Sequence, residues 1–208
     1  MPRTRSDRAT RARDKRRRHL LDAATRVFAQ KGYWAASISD IIQAAGVARG
    51  TFYLYFRSKR DAFLAVADNY RNELKRFTQQ SGPGEPPFTP ENSRARIRAD
   101  FLSWLEFYSQ NLDAVNVVLR DASRIDPSAA RKREELRQAF RSNLAKNVAR
   151  LQEAGIYHGK VSPELAAHFL VGMFDEIAAT CLQHARKADL PQLADQYVDF
   201  AFHGLSAR

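Results

Sequence analysis

The stretch that decides the fold is Ser37-Ile38-Ser39-Asp40-Ile41-Ile42-Gln43-Ala44-Ala45-Gly46-Val47-Ala48-Arg49-Gly50-Thr51-Phe52-Tyr53-Leu54-Tyr55-Phe56. Ser37 with Asp40 three residues on is a capping pattern: the serine oxygen takes a free N–H of the first turn and the acidic residue reciprocates. Ile38, Ile41 and Ile42 then supply the apolar side of a short helix, and Ala44-Ala45 keep it close to its neighbour. Gly46 suits a tight turn because it takes a positive φ without a Cβ clash, with Val47 plugging the core behind it. A second short helix follows, in which Phe52 and Phe56, four apart, face inward. Arg49, Thr51, Tyr53 and Tyr55 face outward, with Lys59 just beyond. These are the parts of a helix-turn-helix, whose second helix enters the DNA major groove.

Working outward, apolar residues recur at three-to-four spacing and no two-residue alternation is evident, which predicts an all-α chain of about nine helices. Upstream, a helix over Asp14–Gln30 buries Leu20, Ala24, Val27 and Phe28 and stops at Gly32. Ser58-Lys59-Arg60-Asp61 marks another helix start, from which Phe63, Val66, Tyr70, Leu74 and Phe77 form one stripe ending in a Pro/Gly run over residues 81–87. Further helices are predicted through Ile97, Phe101, Trp104, Leu105 and Tyr108, and between Leu112 and Arg120. The next runs from Asp126-Pro127 through Leu136, Phe140, Leu144, Val148 and Leu151 to Gly155. Ser162-Pro163-Glu164 and Pro191 open the last two, over Leu165–Arg186 and on to Phe202. The expected organisation is a basic arm over residues 1–13, a helix-turn-helix domain over 14–57 and a second helical domain over 58–208.

The chain has 208 residues and a formal charge of +11. Residues 1–60 hold 15 Lys and Arg against 4 Asp and Glu, whereas the remainder holds 19 of each, so the whole excess lies at one end. A positive segment on a neutral body predicts a polyanion partner for that end, with nucleic acid ahead of anionic membrane. The single cysteine, Cys181, excludes an intrachain disulfide and a multi-cysteine zinc site and fits a reducing cytoplasm. No apolar targeting core follows the N-terminal arginines, and the best apolar stretch is interrupted by His168, Asp175 and Glu176, so neither secretion nor membrane spanning is expected. No histidine pair has the spacing of helical metal ligands, Asp175-Glu176 is a poor acid/base pair, and no phosphate-cradling glycine loop occurs. Neither an enzyme nor a metal or cofactor site is expected.

Leu21-Asp22-Ala23-Ala24, Phe28 and Lys31-Gly32-Tyr33, then Ala45-Gly46-Val47-Ala48-Arg49-Gly50-Thr51-Phe52-Tyr53, then Phe56, Ser58-Lys59 and Asp61 agree in order and spacing with one family. On these residues the chain closely resembles the TetR family of bacterial regulators, with one departure at Ile42, where the family usually carries alanine. The resemblance implies a homodimer that binds a pseudo-palindromic double-stranded operator through paired recognition helices and is released by a small molecule in the C-terminal domain. Family DNA contacts carried over by position fall on Ser37, Ala48, Arg49, Gly50, Thr51, Tyr53, Tyr55 and Lys59. Chemically, Arg49 pairs with guanine, Thr51 meets a thymine methyl, and the tyrosine hydroxyls, Lys59 and Ser37 hold phosphates. The arm, with Arg3, Arg5, Arg8, Arg11 and Arg13, is a candidate for the minor groove.

In the second domain, Trp104, Tyr108, Phe140, Met173, Phe174 and Ile177 are candidates to line a pocket for an apolar or amphipathic effector, or are plain core. Asn143, Asn147, His168 and Glu176 are the polar residues beside them. The resemblance implies that the last two helices, through Phe169, Gly172, Met173, Ile177, Leu193, Tyr197 and Phe200, build a four-helix dimer interface; closing the monomer core is the alternative. The leading expectation is a cytoplasmic operator-binding regulator, acting as a repressor. Its rivals are an architectural or non-specific DNA binder acting through the arm and an all-α enzyme without a visible catalytic constellation.

Overall fold

The computed structural model describes residues 5–80, 88–177, 180 and 189–205. Among them lie nine helices and no strand: α1 (Arg5–Ala35), α2 (Ile38–Ala45), α3 (Arg49–Tyr53), α4 (Lys59–Gln80), α5 (Pro90–Gln110), α6 (Leu112–Ile125), α7 (Pro127–Glu153), α8 (Pro163–Ile177) and α9 (Leu190–Leu205). The Pro/Gly run at 81–87, Cys181 and the expected end of the eighth helix near Arg186 lie outside the described residues.

Helix α1 begins at Arg5, nine residues before the expected start at Asp14, so residues 5–13 are helical rather than an extended arm. Extending an existing helix requires no new nucleus, and alanine and arginine are good helix formers. Asp7 with Arg11 and Asp14 with Arg18 add acid-before-base pairs four apart. At the other end Gly32 breaks the helix with φ 76° and ψ 160°, a conformation open essentially to glycine alone.

One compact unit groups residues 1–76 with 113–130. It therefore runs past the expected boundary at residue 57 and takes in most of α4 and α6. Its core gathers Leu20, Ala24, Val27 and Phe28 of α1, Ile41 and Ala45 of α2, Phe52 and Phe56, Phe63 and Val66 of α4, and Val117 of α6. Phe28 meets Phe63 edge-on with centroids 5.6 Å apart, and Tyr33 meets the same ring at 5.2 Å. These offset geometries suit the aromatic quadrupole. Ser58 Oγ accepts the Asp61 N–H at 3.1 Å, as its capping pattern requires, but the Asp61 carboxylate accepts the N–H of Arg57 rather than that of Ser58.

The second unit spans residues 77–112 and 131–208. Its α5 starts at a capping box that was not anticipated: Thr89 accepts the Asn92 N–H, Asn92 accepts the Thr89 N–H, and Pro90 fills the first turn. Asparagine in the place of the usual glutamate or glutamine hid that signal. Helices α5 and α9 run antiparallel and are joined at three successive turns of α5. Arg94 pairs with Asp199, Arg98 with Asp195, and Phe101 stacks on Tyr197 with centroids 3.6 Å apart. Arg98 holds the Asp195 carboxyl below its ordinary range. Tyr157 is buried in the same core, which pushes its phenol up to about 12 because the charged form loses hydration there.

Phe63 is fully buried where α1, α4 and the Tyr33 segment meet. Phe63→Ala is expected to lower the unfolding free energy by about 3–5 kcal/mol through lost burial and a residual cavity. Urea denaturation followed by circular dichroism measures it, and a midpoint within error of the parent would contradict this packing.

Candidate DNA interface

The interface is built from the Ser37 cap outward. Ser37 Oγ accepts the Asp40 N–H at 3.1 Å while Asp40 accepts the Ser37 N–H at 2.8 Å, which closes the expected capping box. The Ser37 hydroxyl also donates to Asp40 at 2.8 Å, so its proton is already engaged. Lys31 Nζ reaches the same carboxylate at 2.7 Å. The Lys31 hydrogen bond, followed by those from Ser37, lowers the Asp40 pKa to about 2.

At the far end of α2 the chain turns through Gly46 at φ 62° and ψ 35°. The Gly46 N–H donates to Gln43 O at 3.2 Å and the Val47 N–H to Ile42 O at 3.3 Å. This is a Schellman ending, and it gives Ile42 a place in the turn, where Ile42 and Val47 both pack on the core. No neighbour would crowd a Cβ at Gly46, so φ alone demands glycine there. Ala45 is buried as expected, whereas Ala44 is exposed.

Helix α3 leaves this turn with Ala48 extended and ends at Tyr53, short of the expected Phe56; Phe52 within it and Phe56 just beyond it are completely buried. Ala48, Arg49, Gly50 and Tyr53 face solvent, and Thr51 is half-buried. Arg49 lies over the Tyr53 ring, 6.0 Å from its centroid. Tyr55 departs from the outward set: it is half-buried against the core. Leu54 takes the exposed place, 74% accessible, and Trp34 at the end of α1 is similarly open. Neither was singled out from sequence, because an apolar residue at helical spacing reads as core.

Lys59 corrects a second expectation. Its ammonium donates to the Tyr33 and Ala36 carbonyls at 2.8 Å each and sits 4.5 Å from the centroid of the Tyr33 ring. Carbonyls at a helix end attract a cation, so Lys59 is committed to the α1–α2 junction instead of pointing at a phosphate. From α6, the buried Asp121 carboxylate accepts the Tyr33 N–H at 3.0 Å. Of the expected arm contacts, Arg3 lies outside the described residues and Arg5 is the first residue of α1.

A short capped helix, a glycine turn and a second helix with an open polar face thus stand on one aromatic core. The family profile described as "Bacterial regulatory proteins, tetR family" matches residues 20–66. A second, described as "Tetracyclin repressor-like, C-terminal domain", matches residues 90–205, more than half of the chain. The chain belongs to the TetR family.

Among its relatives, the uncharacterized HTH-type transcriptional regulator YdgC of Bacillus subtilis is 25% identical over 91% of this chain and 92% of its own. The HTH-type transcriptional activator FasR of Mycolicibacterium smegmatis is 27% identical over 93% of this chain and 84% of its own. The crystal structure of AibR in complex with isovaleryl coenzyme A and operator DNA shares the fold, with TM-score 0.71 at 18% identity over 90% of this chain and 98% of that one. This TetR-family chain is a DNA-binding transcriptional regulator, and none of these likenesses supports the architectural alternative. Among the described residues no helix is long and apolar enough to cross a membrane.

The second unit of this TetR-family protein brings some of the expected effector residues together. Trp104 meets Phe140 at 4.6 Å and Phe174 at 6.0 Å, and Tyr108 meets Phe174 at 5.5 Å between centroids. Met173 and Ile177 pack on the same cluster. Phe77 and Phe107, stacked at 4.6 Å, join it unexpectedly. Asn143, His168 and Glu176 are exposed and Asn147 is half-buried. The polar group beside the rings is instead the Arg137–Asp175 ion pair, whose Arg137 Nε is buried without a hydrogen-bond partner. Burial raises the Tyr108 pKa, partly offset by the positive charge of Arg137. This pair was missed because Arg137 and Asp175 are 38 residues apart in the chain.

Of the expected dimer residues, Phe169 and Phe200 are 57% and 68% exposed, Gly172 is open, and Met173, Ile177 and Leu193 are half-buried. Tyr197 corrects the set. It is buried under Phe101, and its hydroxyl donates to Leu170 O at 3.2 Å, so it closes the core of its own unit.

The capping network around Asp40 has a pH signature. Its contribution to stability is complete above the ordinary aspartate pKa of 3.8 and is lost as pH falls through about 2. A carboxyl NMR titration is expected to place the Asp40 midpoint near 2, and Lys31→Met to move it back towards 3.8. An ordinary midpoint in the parent chain would show that the Lys31 bridge does not form in solution.

Proposed function

We propose that this protein is a cytoplasmic, dimeric repressor whose α3 reads an operator half-site and which a coenzyme A thioester releases from DNA. The observation that carries the reading is the solvent-facing row of Arg49, Gly50 and Tyr53 over the fully buried Phe52 and Phe56. Arg49 and Thr51 read base edges, Ala48 and Gly50 allow close approach, and Tyr53 holds a phosphate, while Ser37, with its N–H and hydroxyl both engaged on Asp40, and the half-buried Tyr55 shape the surface from behind. Lys59 acts one step back, by fixing the segment from which α2 starts. Dimerisation uses Leu165, Phe169 and Phe200, three large apolar side chains left open on α8 and α9, because exposed apolar residues of this size favour burial against a second copy.

The thioester class is supported by AibR, solved with isovaleryl coenzyme A, and by an aromatic cluster here with the half-exposed Arg137 beside it, whose Nε is buried without a hydrogen-bond partner. Such a site takes an apolar acyl chain against the rings and an anionic or carbonyl oxygen on Arg137. Repression is the sense that effector release implies.

Selection from a random duplex library is expected to enrich a palindrome. Arg49→Ala should weaken binding to it at least 10-fold with folding intact, the scale of one lost bidentate base contact, about 1–3 kcal/mol. A Phe169→Glu/Phe200→Glu variant should sediment as a monomer and lose the operator. Screened coenzyme A thioesters of graded chain length should release the parent protein, and Arg137→Met should blunt that release while leaving effector-free operator binding unchanged. Failure to enrich any palindrome would refute the operator reading.

A further inference from the structure

No described side chain in the N-terminal four turns of α1 belongs to a core. Every described side chain from Thr10 to His19 is exposed, and Leu20 is the first buried one. Within this stretch Arg11, Arg13, Lys15, Arg16, Arg17 and Arg18 stand against a single carboxylate, Asp14, and Arg5 and Arg8 add two positive positions upstream. At 100° per residue, Arg11, Lys15 and Arg18 fall within an arc of about 60° on the side of α1 away from Leu20, Ala24 and Val27. The base of the segment is tied to the turn and to the far end of the α2–α3 region. His19 Nε2 lies 2.9 Å from the Ala45 carbonyl at the Gly46 turn, and Arg17 lies over the Phe56 ring at 5.8 Å. A basic rod therefore leaves the helix-turn-helix beside its turn.

A helix cannot do what an extended arm does. An α-helix with its side chains is about 10–12 Å across, whereas the minor groove is about 6 Å wide. Residues 5–19 rise over about 22 Å, the length of roughly six base pairs at 3.4 Å each. We propose that this segment is a second, sequence-independent DNA-binding element, a basic helix lying along the phosphates of the duplex that flanks each half-site. The inference rests on the operator reading, but its chemistry requires only duplex phosphates. It supplies affinity and lengthens the footprint without adding base specificity, because cations on a solvated helix neutralise phosphates and release counterions.

The test compares the full chain on the selected operator with flanks of a base pair or two and with flanks of about one helical turn, ~10 base pairs. Longer flanks should tighten binding several-fold. An Arg11→Ala/Arg13→Ala/Lys15→Ala/Arg16→Ala variant, which keeps the best helix former at each site, should lose that gain. Its slope of log affinity against log salt should fall by about 0.9 for each phosphate contact removed. Ala12→Pro keeps every charge but breaks the rod. It should lose the gain too, whereas a flexible arm would keep it. The same comparison on a random-sequence duplex separates this proposal from the operator reading. If selection enriches no palindrome but the salt slope still depends on the four cations, the basic helix stands and the operator reading falls. Parent binding that ignores flank length, full retention of the gain in Ala12→Pro, or capture by anionic phospholipid vesicles with an unchanged DNA salt slope would overturn the basic helix.

Discussion

The Tyr33 backbone is gripped by charge from both sides. Its N–H donates to the buried Asp121 carboxylate of α6, and its C=O accepts from the Lys59 ammonium of α4, which also takes the Ala36 carbonyl. Gly32 kinks α1 one turn before its end, and that last turn, closed by the Ala36 N–H on the Gly32 carbonyl, leaves its other backbone groups to outside partners. The orientation of α2 follows, because Ser37, its cap, comes one residue after Ala36. Removing either charged partner would leave buried polar groups unpaired, which is why a short loop sets the geometry of the DNA-reading element.

From that junction the reading surface follows by local rules. Ser37 and Asp40 start α2, and the Gly46 turn ends it with Ile42 and Val47 drawn onto the core. Phe52 and Phe56 then pin α3 so that its opposite face stays in water. A side chain that must reach a base edge cannot contribute to the core behind it, so the burial of the two phenylalanines is what leaves Arg49 and Tyr53 free. In the other unit the ladder of Arg94 with Asp199, Arg98 with Asp195 and Phe101 on Tyr197 locks α5 to α9. That locking turns Phe200 outward while Tyr197 is consumed.

Much of this was legible because it is local. Caps, the glycine turn and apolar stripes act over three or four residues, and they located the helices of the recognition motif from the sequence. Local reasoning failed where a residue's partner is distant. Lys59 looked like a phosphate ligand because the carbonyls that take it, at Tyr33 and Ala36, lie more than twenty residues upstream. Tyr197 shares the spacing of Phe200, and only the position of Phe101 separates their fates. Arg137 carried no signal at all. Its role beside Trp104 and Tyr108 depends on where α8 places Asp175.

The sequence by itself determined that the chain is helical, where most helices begin and end, that a helix-turn-helix lies at Ser37–Phe56, and that the positive charge belongs to that end. Hydrogen bonds within one turn and the 3.6-residue period suffice for this, since both are written in neighbouring residues. Tertiary structure decided which candidates face DNA, which serve the core, and that the basic segment is a rod rather than an arm. Those outcomes depend on which surfaces meet once the helices pack. Burial of Phe52, capture of Lys59 and continuation of α1 to Arg5 are each settled by competition among distant partners and water, and no short window of sequence contains all the competitors.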